Sequence, residues 1–121
     1  MNFEVFTTDD FEKSFKALAK KYRSMVNDIK ELRNSLKENP FQGDELTPGI
    51  RKIRMAITSK GRGKSGGARV ITKTILYTET LGKVYLLEIY DKADASTVNI
   101  DILKQIVITL GLDQDSPGQM Q

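Results

Sequence analysis

The 121-residue chain contains no histidine, no cysteine and no tryptophan, and only three prolines. Without cysteine there is no disulfide, no thiolate nucleophile and no Cys-type zinc site. Without histidine the commonest general base and the commonest transition-metal ligand are both missing. Any chemistry falls to Lys, Arg, Tyr, Asp, Glu, Ser or Thr, and neither a metal nor another cofactor is expected. No run approaches the about 18 apolar residues needed to cross a bilayer. The opening stretch MNFEVFTTDD is acidic where a secretory leader is cationic and then apolar. The expectation is a cytoplasmic protein with no membrane association.

Positive charge is abundant, and in one place. Residues 46–78 carry Arg51, Lys52, Arg54, Lys60, Arg62, Lys64, Arg69 and Lys73 and no Asp or Glu, whereas the remainder holds eleven basic and sixteen acidic residues and sums to −5. A local field of this kind attracts polyanions, nucleic acid first among them. Apolar residues at 39% and charged residues at 29% are ordinary globular usage, so one folded domain is expected over residues 1–112. The tail 113–121 is polar, with Pro and Gly, and is expected to be disordered.

Periodicity orders the elements. Asn2 to Phe6 alternates and reads as a strand. Thr8 or Asp9 can cap the helix that follows, with Glu12 as a capping-box partner, and Phe11, Phe15, Leu18 and Ala19 form its apolar stripe. A second helical face runs Met25, Ile29, Leu32, Leu36 and stops before Pro40, after a turn near Lys21 to Arg23. Phe41 to Gly49 reads as a loop. Ile50 to Ile57, Ala68 to Tyr77 and Lys83 to Tyr90 read as strands, the last two joined by a turn at Glu79 to Gly82. A last helix, from Ser96 or Asn99 to Gly111, is expected to turn Ile102, Ile106 and Leu110 inward. The predicted fold is α+β, in the order β-α-α-β-β-β-α, with helices packed on a mostly antiparallel four-stranded sheet.

Alternation along the strand Ile50 to Ile57 puts Lys52 and Arg54 on one face and Ile53 and Met55 on the other. Arg69 begins the next strand, and Arg62 and Lys64 lie in SKGRGKSGG, which has four Gly and three cations in nine residues. Like charges so close lower the pKa of a lysine and let it act as a base. Cleavage of RNA by its own 2′-hydroxyl suits such a site: it needs a base, cations for the phosphorane and an acid for the 5′-oxygen, and neither metal nor histidine. A charge run is nevertheless most often a solvated face. The Gly-rich loop lacks the GxxxxGK[ST] spacing and a following helix, so a nucleotide-binding P-loop is rejected. Ser65 has no triad partners. Tyr77, Tyr85 and Tyr90 read as core or sheet-edge residues, and Asp91 and Asp94 as caps of the last helix.

The runs GIRKIR (Gly49–Arg54), GRGKSGGARVI (Gly61–Ile71) and VYLLEIYDK (Val84–Lys92) resemble the RelE/ParE superfamily of bacterial type II toxins, most nearly its HigB-like branch. The likeness spans roughly residues 30–106, with KSGGARVI its most specific part. It implies a ribosome-dependent mRNA endoribonuclease that inhibits translation and is held silent by a cognate antitoxin, HigA-like and of helix-turn-helix type. By the resemblance Lys52, Arg54, Arg69 and Lys92 are the catalytic set, with Lys52 the candidate base or acid and Arg54 and Arg69 stabilising the transition state. Arg62 and Lys64 match the basic loop that meets RNA or ribosome, and Arg51, Lys60 and Lys73 extend that surface. Many members carry an Arg after the last Lys and a Tyr further on; here those stations read Ala93 and about Asn99. Two other readings stay open: a ParE-like inhibitor of DNA gyrase, and a catalytically decayed module that binds RNA or antitoxin only.

Overall fold

A computed structural model of the chain describes residues 2–94 and 99–112. Strand β1 (Asn2–Thr7) leads into helices α1 (Asp9–Lys21) and α2 (Met25–Glu38). Four strands follow, β2 (Asp44–Thr47), β3 (Ile50–Met55), β4 (Ala68–Leu76) and β5 (Leu81–Asp91), with a short 3-10 turn at Thr58–Lys60 between β3 and β4. Helix α3 (Ile100–Thr109) closes the described chain. The fold is α+β as expected, but the sheet has five strands, ordered β1-β5-β4-β3-β2. It is mixed: β1 runs parallel to β5, and the other three pairings are antiparallel.

The extra strand, β2, lies in the segment read as a loop. Asp44 and Glu45 are poor strand formers alone, but register sets them opposite Lys52 and Arg51, and Glu45 forms an ion pair with Arg51. Arg51 Nη2 donates to Glu45 Oε2 at 3.5 Å. Gly43, at φ +89°, lets β2 enter, because a Cβ there would collide with the Lys52 carbonyl.

Two apolar layers flank the sheet. On one face Phe3, Val5, Ile53, Met55, Val70, Val84, Leu86 and Ile89 meet Phe11 and Leu18 of α1 and Met25, Ile29, Leu32 and Leu36 of α2. The stripe predicted for α2 is buried throughout, and that of α1 is buried at Phe11 and Leu18 and partly buried at Phe15 and Ala19. Thr8 caps α1 by accepting from Phe11 N, and its Oγ1 donates to the Leu86 carbonyl, tying the cap to β5. Phe11 therefore holds the capping-box station, and Glu12 lies one residue beyond it.

On the other face Ile50, Ile71, Ile75 and Leu87 meet Leu103, Val107 and Leu112. Leu87 follows Tyr85 onto this face by alternation, and the register slip of β5 against β4 at Ile71/Thr72 returns Ile89 to the α1/α2 face. The inward face of α3 differs from the one expected: Leu103 and Val107 are buried, whereas Ile102 and Leu110 are exposed. Both sets recur at helical spacing, and contact with the sheet decides between them. Asn99 caps α3 by accepting from Asp101 N and Ile102 N. Ser96, the other predicted start, and the tail 113–121 lie outside the described residues.

A candidate nucleic-acid interface

Side-chain alternation places Lys52 and Arg54 on the α3 face of the sheet, and register brings the other strands beside them. Arg54 lies opposite Arg69 on β4, and Arg69 lies opposite Tyr90 on β5. One row lower, Lys52 lies opposite Ile71, which lies opposite Glu88. Arg54 is exposed and Lys52 half-buried, as the alternation predicts for the wet side of the sheet.

Arg69 behaves differently. It is only 5% exposed. Its Nη1 donates to the Lys64 and Ala68 carbonyls at 3.0 and 3.2 Å, and its Nη2 donates to the Ser65 carbonyl at 3.0 Å. The guanidinium thus folds the basic loop back onto the start of β4. This also relieves the like-charge opposition of Arg54 and Arg69, since the Arg69 charge turns into three carbonyl dipoles. The loop closes tightly over β3: a Cβ on Gly67 would meet the Met55 carbonyl, and Gly67 O accepts from Lys92 N at 3.0 Å. Lys92 is half-buried at the end of β5, its backbone joined to the same loop.

Beside this row lies a cleft of about 440 Å³ lined by Gln42, Gly43, Asp44, Lys52, Ile53, Arg54 and Lys64. An adjoining hollow of about 290 Å³ shares Gln42, Arg54 and Lys64 and extends to Asp28, Glu31, Leu32 and Ser35 of α2. The opening exists because β2 pairs with β3 only as far as Lys52 and leaves the next turn of the β3 edge uncovered. Among the described residues the ion pairs are Arg51 with Glu45 and Lys60 with Asp91, so Lys52, Arg54 and Lys64 face the cleft without a carboxylate partner at ion-pair distance.

The other predicted contacts fall elsewhere. Arg51 points to the α1/α2 face, where it pairs with Glu45 and lies 5.2 Å from the centre of the Phe41 ring. Lys60 Nζ donates to Asp91 Oδ1 at 2.7 Å and is mostly covered. Lys73 lies opposite Ile50 and faces a groove beside α3, apart from the cleft. Arg62 is exposed on the loop. The cleft therefore gathers Lys52, Arg54 and Lys64, and Arg69 from behind, but not Arg51, Lys60 or Lys73.

Asp91 is not a helix cap. It is 1% exposed and receives hydrogen bonds from Lys60 Nζ, from the Tyr22 hydroxyl at 2.5 Å and from Ala93 N at 3.0 Å. Burial by itself would raise its carboxyl, but the bonds from Lys60, Tyr22 and Ala93 and the Lys60 charge prevail and hold it at about 2. Asp28 of α2 makes a similar tie, accepting from Thr58 N, Thr58 Oγ1 and Ser24 Oγ at 3.0, 2.6 and 2.7 Å. Together they fasten both ends of the segment that follows β3 to the helical layer. Sequence reading missed both, since a lone Asp at an element end carries the same signal whether it caps locally or bonds far along the chain.

Tyr90 Oη is buried and, among the described residues, has no hydrogen-bond partner. Burial pushes its phenol up, against the opposing pull of Arg69. No group of His, Cys, Asp and Glu side chains among the described residues is arranged to hold a metal ion. No helix there is long and apolar enough to cross a membrane. No protein-family model matches the sequence.

Proposed function

We propose that the chain is the toxin of a type II toxin–antitoxin pair, a metal-independent endoribonuclease of RelE-like, HigB-like type that cuts mRNA on the ribosome. The observation that carries this reading is the cleft of Lys52, Arg54 and Lys64, three cations without a carboxylate partner beside an open strand edge. A site of this charge is costly until an anion fills it, and a phosphodiester supplies that anion along a chain of regularly spaced charges. The sequence resemblance supplies the reaction class.

In this reading the substrate's own 2′-hydroxyl attacks the adjacent phosphorus. Its proton passes to a base, negative charge gathers on the phosphorane oxygens, and the departing 5′-oxygen takes a proton. Lys52 is assigned to proton transfer. Arg54 and Lys64 stabilise the phosphorane charge, and Arg62, further out on the loop, holds the RNA strand. Arg69 becomes a positioning residue, since its bonds to the Lys64 and Ser65 carbonyls set where Lys64 stands. Lys92 borders the same loop and stays in the set.

The test is induction of the chain carrying Lys52→Ala with Arg54→Ala. Both side chains can be removed without opening the core, so a folded, soluble and non-toxic double variant is expected. A variant that arrests growth and cuts mRNA as the parent does would sink the assignment.

A further inference from the structure

The hollow of about 290 Å³ that adjoins the cleft has a chemical character of its own. Leu32 of α2 and Met55 of β3, both buried, give it an apolar floor. Arg54 and Lys64 belong to both spaces, and α2 adds Glu31. The hydrogen bonds around Gln42, also shared with the cleft, fix what it offers. Its Nε2 donates to Ser35 Oγ and to the Asn39 carbonyl, both at 3.0 Å, while Ser35 Oγ donates its own hydrogen to the Leu32 carbonyl at 2.8 Å. Both amide hydrogens are thereby used, and Oε1 remains as an acceptor. Glu31 receives one bond, from Asn27 Nδ2 at 3.4 Å, and among the described residues it has no cation at ion-pair distance. Asp28, the other carboxylate in the hollow, is taken up by Thr58 and Ser24. The hollow thus presents oxygen acceptors above an apolar floor, beside two cations. A ligand that satisfies all three has a flat apolar face, an edge of N–H donors and an attached anion, which describes a nucleotide. Its volume lies at the low end for small-ligand sites and admits one base.

We propose that this hollow seats one guanine of the RNA, the base next to the phosphate held in the cleft, and that Glu31 selects it. The inference deepens the endoribonuclease reading and rests on it. Guanine carries two adjacent donors on its Watson–Crick edge, the ring N–H and the exocyclic amino group, which one carboxylate accepts together. Adenine and cytosine carry an amino group beside a ring nitrogen that is itself an acceptor, so its lone pair opposes the second carboxylate oxygen. Uracil has a single N–H between two carbonyls. Leu32 and Met55 pack against the ring face, and Arg54 and Lys64 reach the phosphate. The Glu31 charge opposes the RNA backbone as a whole and is compensated only by a base with paired donors, so it rejects the other three as much as it attracts guanine.

The experiment measures, by fluorescence anisotropy, the binding of single-stranded oligouridylates with one central guanosine, inosine or adenosine, all 2′-O-methylated so that no cleavage intervenes. The proteins are the parent, Glu31→Gln, Lys52→Ala with Arg54→Ala, and Glu38→Gln, which makes the same change in charge on α2 outside the hollow. Each variant is first shown to unfold at the parent's midpoint. The parent is expected to bind the guanosine oligomer about 10-fold more tightly than the inosine and adenosine ones, inosine lacking the exocyclic amino group. Glu31→Gln is expected to reverse the order in favour of adenosine, because a glutamine amide matches the donor and acceptor of adenine. It should also bind the inosine oligomer at least as tightly as the parent does, which a disturbed fold would not give. Glu38→Gln keeps the guanosine preference. A parent that binds all three alike, and loses all three in the cleft variant, overturns the inference and leaves the RNA reading standing. A guanosine preference that survives Glu31→Gln, or that vanishes equally in Glu38→Gln, overturns it too. A parent that binds none of the oligomers overturns RNA binding at the cleft and this base site with it.

Discussion

Arg54 and Arg69 face each other across β3 and β4, yet one stands in solvent and the other is sealed under a loop. Their substitutions should separate. Arg54→Ala is expected to leave the unfolding free energy within about 0.5 kcal/mol of the parent and to lower mRNA cutting by about 100-fold or more. Arg69→Ala removes charged bonds to Lys64, Ala68 and Ser65 and is expected to cost about 2–4 kcal/mol in urea unfolding, with loss of cutting as a consequence of a displaced loop. Equal stability of the two variants would refute this division. The Asp91 carboxyl gives a pH signature. Its value of about 2 lies below the ordinary 3.8, so it contributes about 2 kcal/mol that is fully present above about pH 5 and is lost as pH falls toward 2. Asp91→Asn should flatten that part of the stability–pH curve and strand Lys60 without its partner. Alternation in the sequence was enough to name the wet face of β3. It could not distinguish an arginine that meets solvent from one that binds carbonyls of its own loop, because depth depends on what the loop does above it.

At the scale of elements, β2 and the basic loop shape the cleft, and each depends on a glycine. Gly43→Ala combines a left-handed φ with a collision at the Lys52 carbonyl and is expected to cost about 1–3 kcal/mol and to shift Lys52. Thermal unfolding measures the first, and loss of cutting the second; a variant as stable and active as the parent would contradict the account. The helices α1 and α2 and strand β3 were legible from their apolar periods, and β4 and β5 from their β-branched and apolar content between turn signals. β2 was not, since Asp44-Glu45-Leu46-Thr47 acquires strand character only from the cations opposite it. The inward side of α3 was also illegible: the 102/106/110 and 103/107 stripes are equally periodic, and the sheet selects the second. The cation cluster was visible in sequence as a stretch free of acids, while its reduction to Lys52, Arg54 and Lys64 required the fold.

Over the whole molecule the net charge is only +3, so attraction to RNA depends on where the cations stand. If Lys52, Arg54, Arg62 and Lys64 each neutralise one phosphate, binding to single-stranded RNA should weaken with salt at a log–log slope of about −3. Arg62→Ala with Lys64→Ala should bring that slope to about −1.5, whereas Arg51→Ala, on the opposite face, should leave it unchanged. An unaltered slope for the loop variant would place the RNA elsewhere. The most direct measurement is primer extension across a reporter mRNA after induction of the chain without its antitoxin, with translation running and with translation blocked. New 5′ ends are expected within translated codons and should vanish when translation is blocked and in the Lys52→Ala, Arg54→Ala double variant. Growth arrest with intact mRNA, or cuts that persist in that variant, would contradict it.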